Sequence, residues 1–110
     1  MEQVFNKLVR DNIPYKIESN GEIAITRILD DNEYQEELYK KLQEECNEVI
    51  NAKTNEETIR ELADVLEVIR AIAELDNKTI YDVEEIARDK RLVRGGFEKR
   101  IFLEKTIDKK

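Results

Sequence analysis

Residues 54–75, TNEETIRELADVLEVIRAIAEL, decide the fold of this chain. The opening residues 54–57 fit a capping box, in which a threonine and a glutamate close the first turn of a helix. Apolar residues then cover most of the helix circumference. A clear solvent face remains only at Arg60, Glu67, Arg70 and Glu74. A helix that is apolar on most sides lies at the centre of its bundle. The sequence therefore predicts a mainly α fold, an antiparallel helical bundle.

The helix predicted before this one carries an acidic residue inside its apolar stripe. Asp30 or Asp31 can cap this helix, which runs to about Ala52. Its apolar residues recur every three or four positions, at Tyr34, Leu38, Leu42, Cys46 and Val49. At about 100° per residue, Glu45 falls inside that stripe and Glu48 at its edge. A glutamate in an apolar seam is costly unless it has a partner.

The remaining elements are shorter. Pro14 suits the first turn of a short helix that reaches about Ser19. Residues 79–82 repeat the capping-box pattern for a last helix through about Leu92, which Gly95-Gly96 stops. Residues 23–29 and 97–103 read as strands, so we expect a small β element formed by the N- and C-terminal segments. Two short strands are not stable alone in water. They must therefore pack on the helices or on another subunit.

Length and composition narrow the functional class. A chain of 110 residues is the size of one domain, and its net charge of −7 without a basic run disfavours nucleic-acid polymers. The absence of histidine excludes His-based zinc sites and Ser-His-Asp triads. Nothing at the amino terminus resembles a signal peptide, and no apolar run approaches the roughly 20 residues that cross a bilayer. With Cys46 as the single cysteine, we expect a cytoplasmic protein without membrane contact.

Carboxylates recur one helical turn apart in two clusters. The first, EECNE, covers residues 44–48, and the second, ELAD, covers residues 61–64. Like charges on one helix face repel by about 0.2–0.5 kcal/mol per pair even when exposed. A hard dication such as Mg²⁺ between the two helices would turn that repulsion into coordination. The alternative is that Glu61 and Asp64 reach solvent near the start of their helix, where acidic residues suit the helix dipole.

Basic residues that suit a polyphosphate lie outside these clusters. Lys7 and Arg10 are near the start, and Lys90 and Arg94 precede or adjoin Gly95-Gly96. Each alone is typical of surface charge. Together with the glycines, whose backbone allows a ligand to approach closely, these four residues are the candidates for binding the phosphates of a substrate.

The acidic motifs resemble those of a known family. Glu-Glu-x-x-Glu at residues 44–48, twelve intervening residues and Glu-x-x-Asp at residues 61–64 are similar to the all-α nucleoside triphosphate pyrophosphohydrolases. These form the MazG superfamily, with phosphoribosyl-ATP pyrophosphohydrolase and the dimeric dUTPases. KLVRDNIP at residues 7–14 and RGGF at residues 94–97 resemble a small MazG-like branch of house-cleaning enzymes. The resemblance spans about residues 7–103, and Asn12 stands where that branch often has Lys.

The resemblance implies one MazG-like domain over residues 1–110 that hydrolyses a nucleotide between its α- and β-phosphates. The products would be a nucleoside monophosphate and pyrophosphate. By the same resemblance Mg²⁺, with Mn²⁺ as the alternative, would be ligated by Glu45, Glu48, Glu61 and Asp64. Glu44 would lie beside them as an outer ligand or general base. Such a reaction depends mostly on positioning and charge stabilisation, so it requires no histidine.

Two other functional classes stay open. One is a non-catalytic nucleotide-binding module, which the presence of four acidic residues disfavours. The other is a helical interaction protein with solvated acidic residues, which Glu45 in an apolar seam disfavours. In either case the predicted third helix has more apolar surface than two long helices can cover. We therefore expect a homodimer or a higher homo-oligomer.

Overall fold

Four helices make up the regular secondary structure of residues 1–109, the part of the chain that the computed structural model describes. The helices are α1 (Ile13–Ser19), α2 (Asp31–Asn51), α3 (Asn55–Leu75) and α4 (Ile80–Arg94). The predicted mainly α class is confirmed, and each helix ends within two residues of its predicted end. No helix among residues 1–109 combines the length and the apolar character needed to span a membrane.

Side-chain caps explain why the helices begin where the sequence indicates. At α4 the capping box is complete: Thr79 Oγ1 accepts from the backbone N–H of Asp82, and Asp82 Oδ2 accepts from the backbone N–H of Thr79. At α3, Thr54 accepts from the N–H of Glu57, as predicted. The Glu57 carboxylate accepts from the N–H of Lys53 instead of Thr54. Each cap satisfies N–H groups that the first helical turn leaves unpaired.

The α2–α3 hairpin is the packed part of the described chain. The two helices run antiparallel along their length, joined by residues 52–54. Leu38 of α2 and Val68 of α3 are buried between them. Cys46, predicted to belong to the α2 stripe, is exposed. On α3 the predicted apolar face at Ile59 and Leu62 is also exposed, because α2 covers only one side of α3.

The predicted β element is not observed among residues 1–109. Residues 23–29 form no regular secondary structure, and residues 97–103 contain a turn and otherwise none. Their apolar side chains, such as Ile25 and Phe102, are exposed. A pair of short strands needs an apolar surface to pack on, and among residues 1–109 neither segment covers the exposed apolar side of α3.

Beyond its first turn, α4 is not covered. Ile80 is buried, whereas residues 83–94 are exposed, and among the helices α4 contacts only α3. The described chain has a radius of gyration of 19.1 Å. A compact protein of this length would have one of about 13 Å. The protomer is therefore an elongated body with a small core and large apolar surfaces.

Candidate metal centre

Three carboxylates from two helices meet at the α2–α3 seam. Glu45 lies on the side of α2 that packs on α3, one turn from Leu42 and Val49. Glu61 and Asp64 lie on the facing side of α3. Carboxylate oxygens of these three acidic residues all lie within 4.8 Å of one another. The predicted interhelical meeting of the two acidic motifs is thus present for Glu45, Glu61 and Asp64.

The other two acidic residues of the first motif take different positions. Glu48 is exposed at the edge of α2 and lies outside this group of three. It is nevertheless close enough for its charge to act on Glu61. Glu44 is half-buried, with Lys7 Nζ at 3.4 Å and Lys41 Nζ at 3.5 Å from its Oε1. It lies beside the group, and these two ammonium groups hold its carboxylate.

Burial and the neighbouring carboxylates both disfavour the charged form of Glu61. Burial raises the pKa of Glu61 above its ordinary value of 4.5, and the charges of Asp64, Glu48 and Glu45 raise it further. No cation contacts Glu61 among the ion pairs of residues 1–109. A pKa raised by burial and by like charges means that the ionised form of Glu61 is destabilised at this position. A bound cation would relieve this destabilisation.

Two basic residues of the N-terminal segment reach the acidic residues. Arg10 Nη2 donates to Asp64 Oδ1 at 2.7 Å, and Lys7 pairs with Glu44. Both come from residues 1–12, which lie across the hairpin without regular secondary structure. Leu8 and Val9 of this segment are half-buried. The predicted phosphate-binding residues Lys7 and Arg10 therefore lie at the carboxylates.

Lys41 is a residue of this site that the sequence reasoning missed. Its ammonium lies 3.6 Å from Glu45 Oε1, in addition to its contact with Glu44. Only 17% of the Lys41 side chain and 13% of the Glu45 side chain are exposed. The spacing of three and four residues on one helix was the available signal. Lys41 gives Glu45 the partner that its position in the seam requires, with or without a metal.

The other predicted phosphate-binding residues lie elsewhere. Lys90 and Arg94 form no ion pair with the acidic residues among residues 1–109. They line an open groove at the C-terminal end of α4. The other lining residues include Arg88, Arg91, Gly95, Gly96 and Phe97. Gly95 has φ +80°, a backbone conformation that disfavours other residues at this helix end. Four of the groove's side chains are basic, and no ion pair among residues 1–109 joins them to the carboxylates.

The donor set fits a hard dication. Oxygen ligands of an octahedral Mg²⁺ with bonds of about 2.1 Å are separated by about 3.0–4.2 Å. One carboxylate oxygen from each of Glu45, Glu61 and Asp64 lies within 4.8 Å of the other two, a limit that includes this range. Waters and phosphate oxygens would complete the shell, as is usual for Mg²⁺. Exposed acidic groups also occur without a metal, so the fit defines a candidate site.

Comparison of the sequence with protein families, with curated proteins and with solved structures finds no match.

Proposed function

We propose that this chain is a Mg²⁺-dependent nucleoside triphosphate pyrophosphohydrolase that cleaves between the α- and β-phosphates. The observation that carries the proposal is the meeting of Glu45, Glu61 and Asp64 at one point of the hairpin. The sequence motifs that contain these residues resemble those of the all-α pyrophosphohydrolases. A house-cleaning role on non-canonical nucleotides and a cytoplasmic location are parts of the same proposal.

In the proposed reaction, Glu45, Glu61 and Asp64 bind the metal, and Glu48 at the edge of α2 joins them or binds its waters. Mg²⁺, or Mn²⁺ in its place, supplies charge neutralisation of the phosphates and lowers the pKa of an attacking water. Glu44 is the base candidate, because as a carboxylate beside the group it can accept a proton from that water. Lys7 and Arg10 are near enough to the carboxylates to bind phosphates held by the metal.

The chain would act as a homodimer or a larger homo-oligomer. Its accessible surface is 10835 Å². A compact monomer of 13.0 kDa has about 6,300 Å². The chain therefore exposes about 4,500 Å² more surface than a compact monomer would. This excess is larger than the area that each subunit buries in most obligate dimers, about 1,000–2,500 Å². Lys90 and Arg94, which form no ion pair with the carboxylates among residues 1–109, would then complete the site of a neighbouring copy.

A nucleotide panel tests the activity. We expect pyrophosphate release in the presence of Mg²⁺ and none with EDTA. Asp64→Asn should abolish the release, because it removes one negative charge from the metal ligands. Asp89→Asn on exposed α4 makes the same chemical change away from the site and should retain activity. Absence of turnover by the wild-type chain on every nucleotide would refute the enzyme proposal and favour a binding or interaction module.

Mixed oligomers test whether the site is shared. Asp64→Asn subunits lack a metal ligand, and Arg94→Ala subunits lack a phosphate-binding group. If Arg94 serves a neighbouring copy, some hybrid sites contain both groups and activity should partly return on mixing. Subunit exchange is verified by mass spectrometry of differently labelled chains. Exchange without recovery would place the whole site within one chain.

A further inference from the structure

The ion pair between Arg10 and Asp64 uses a carboxylate that the proposed metal also needs. Arg10 Nη2 lies 2.7 Å from Asp64 Oδ1, the shortest contact between the N-terminal segment and the hairpin among the ion pairs of residues 1–109. Asp64 is also one of the three residues whose oxygens meet at the seam. A guanidinium is always charged, so it and a dication would compete for this carboxylate and would repel each other.

The ion pair between Arg10 and Asp64 can separate at little cost in free energy. Both side chains are about half exposed, at 56% for Arg10 and 43% for Asp64, and exposed ion pairs are weak. Leu8 and Val9, next to Arg10 in the chain, are half-buried, whereas Arg10 is exposed. The long side chain can therefore leave Asp64 while the segment stays in place. A guanidinium released there remains beside the metal site, where its planar donor fork suits a phosphate.

We propose that Arg10 is an exchangeable counter-ion: it pairs with Asp64 in the metal-free protein, leaves this carboxylate when a dication binds, and then binds a phosphate of the nucleotide. This inference rests on the proposed function, because it assigns Arg10 two successive partners at that site. Before metal binding, Arg10 reduces repulsion among the carboxylates. After metal binding, it contributes to holding the substrate.

The opposite arrangement makes a different prediction. A carboxylate has two oxygens and can accept from an arginine while it ligates a metal. If Arg10 stayed on Asp64 throughout, it would orient the ligand, and removing Arg10 would weaken metal binding. In an exchangeable pair, removing Arg10 strengthens binding of the metal alone and weakens binding of the nucleotide. The two effects have opposite signs, which a merely structural role would not produce.

The test compares Arg10→Gln with Arg27→Gln. Arg27 pairs with Glu33 at 2.8 Å near the start of α2, twelve residues and about 18 Å along the helix from Glu45. Both variants lose one positive charge and one exposed ion pair. Mn²⁺ binding without nucleotide is measured by electron paramagnetic resonance of the free ion. We expect Arg10→Gln to bind Mn²⁺ about two- to fivefold more tightly than wild type, and Arg27→Gln to match wild type.

The second measurement uses a non-hydrolysable α,β-methylene nucleoside triphosphate in saturating Mn²⁺. Arg10→Gln should bind it about tenfold more weakly or worse, because a charged hydrogen bond to phosphate is lost. Unchanged or weaker Mn²⁺ binding by Arg10→Gln overturns the exchange, and so does an equal gain in Arg27→Gln. If the wild-type chain binds Mn²⁺ and releases pyrophosphate, either of these results for the variants overturns the proposed exchange of Arg10 and leaves the proposed function intact. If wild type does neither, the proposed function fails as well.

Discussion

An isoleucine on the uncovered side of α4 offers a quantitative test of assembly. Val83, Ile86 and Val93 form an apolar stripe on α4, and they are 38%, 57% and 87% exposed in the protomer. Burying an isoleucine fully is worth about 1.5–3 kcal/mol, so covering the exposed part of Ile86 is worth about 0.9–1.7 kcal/mol. A symmetric dimer contains the contact twice, which gives about 1.7–3.4 kcal/mol. Ile86→Ala should therefore raise the dimer dissociation constant about 20- to 300-fold.

The assay is sedimentation with fluorescence detection from nanomolar to micromolar concentration. Leu92→Ala is the matched control. Leu92 is 81% exposed and lies about 120° around α4 from Ile86, outside the stripe. We expect it to change the dissociation constant little. A wild-type mass near 13.0 kDa at every concentration would refute the burial argument, and equal effects of the two variants would place the contact elsewhere on α4.

Three further predictions concern charge, capping and substrate. In EDTA, wild-type stability should decline as pH rises above 4.5 through the raised pKa of Glu61, because the folded state binds that proton more tightly than the unfolded state. Glu61→Gln should lessen this decline in urea unfolding, and an identical pH dependence in the variant would contradict the cause assigned to the pKa. Thr79→Ala should lower the free energy of unfolding by about 1 kcal/mol by removing the α4 cap, whereas Thr106→Ala in the C-terminal segment should leave the urea midpoint unchanged. Arg94→Ala should raise KM for the nucleotide or lower kcat more than Lys53→Ala, and equal effects would indicate that Arg94 is only a surface charge.

The helix positions could be predicted from the sequence because the residues that start and end each helix lie close together along the chain. The oxygens at Asp30, Thr54 and Thr79 cap N–H groups within one turn, and Gly95 ends α4 where the chain adopts a positive φ. Periodicity likewise identified the side of α2 that carries Leu38 and Glu45 toward its neighbour. These features depend on residues three or four positions apart, so a single sequence contains them in full.

The spacing of the acidic motifs indicated which helices would meet at the candidate site, but not the exact set of neighbours. Glu45 joins Glu61 and Asp64, whereas Glu48 lies at the exposed edge. That difference depends on how far α2 is rotated against α3, and the apolar stripe alone does not fix this rotation closely. The contact of Arg10 with Asp64 joins residues 54 positions apart, and no local pattern encodes it.

The sequence by itself determined four helices, the N-terminal caps of α2, α3 and α4, and two acidic motifs on adjoining helices. Only the tertiary structure showed that the strands predicted at 23–29 and 97–103 do not form among the described residues. It also showed that α4 is exposed beyond its first turn. The physical reason is that helical hydrogen bonds close within a segment, whereas strands and apolar faces need a partner surface. Apolar residues in a sequence indicate which side chains gain from burial. The packing of elements that are distant in the sequence determines which of those side chains are buried.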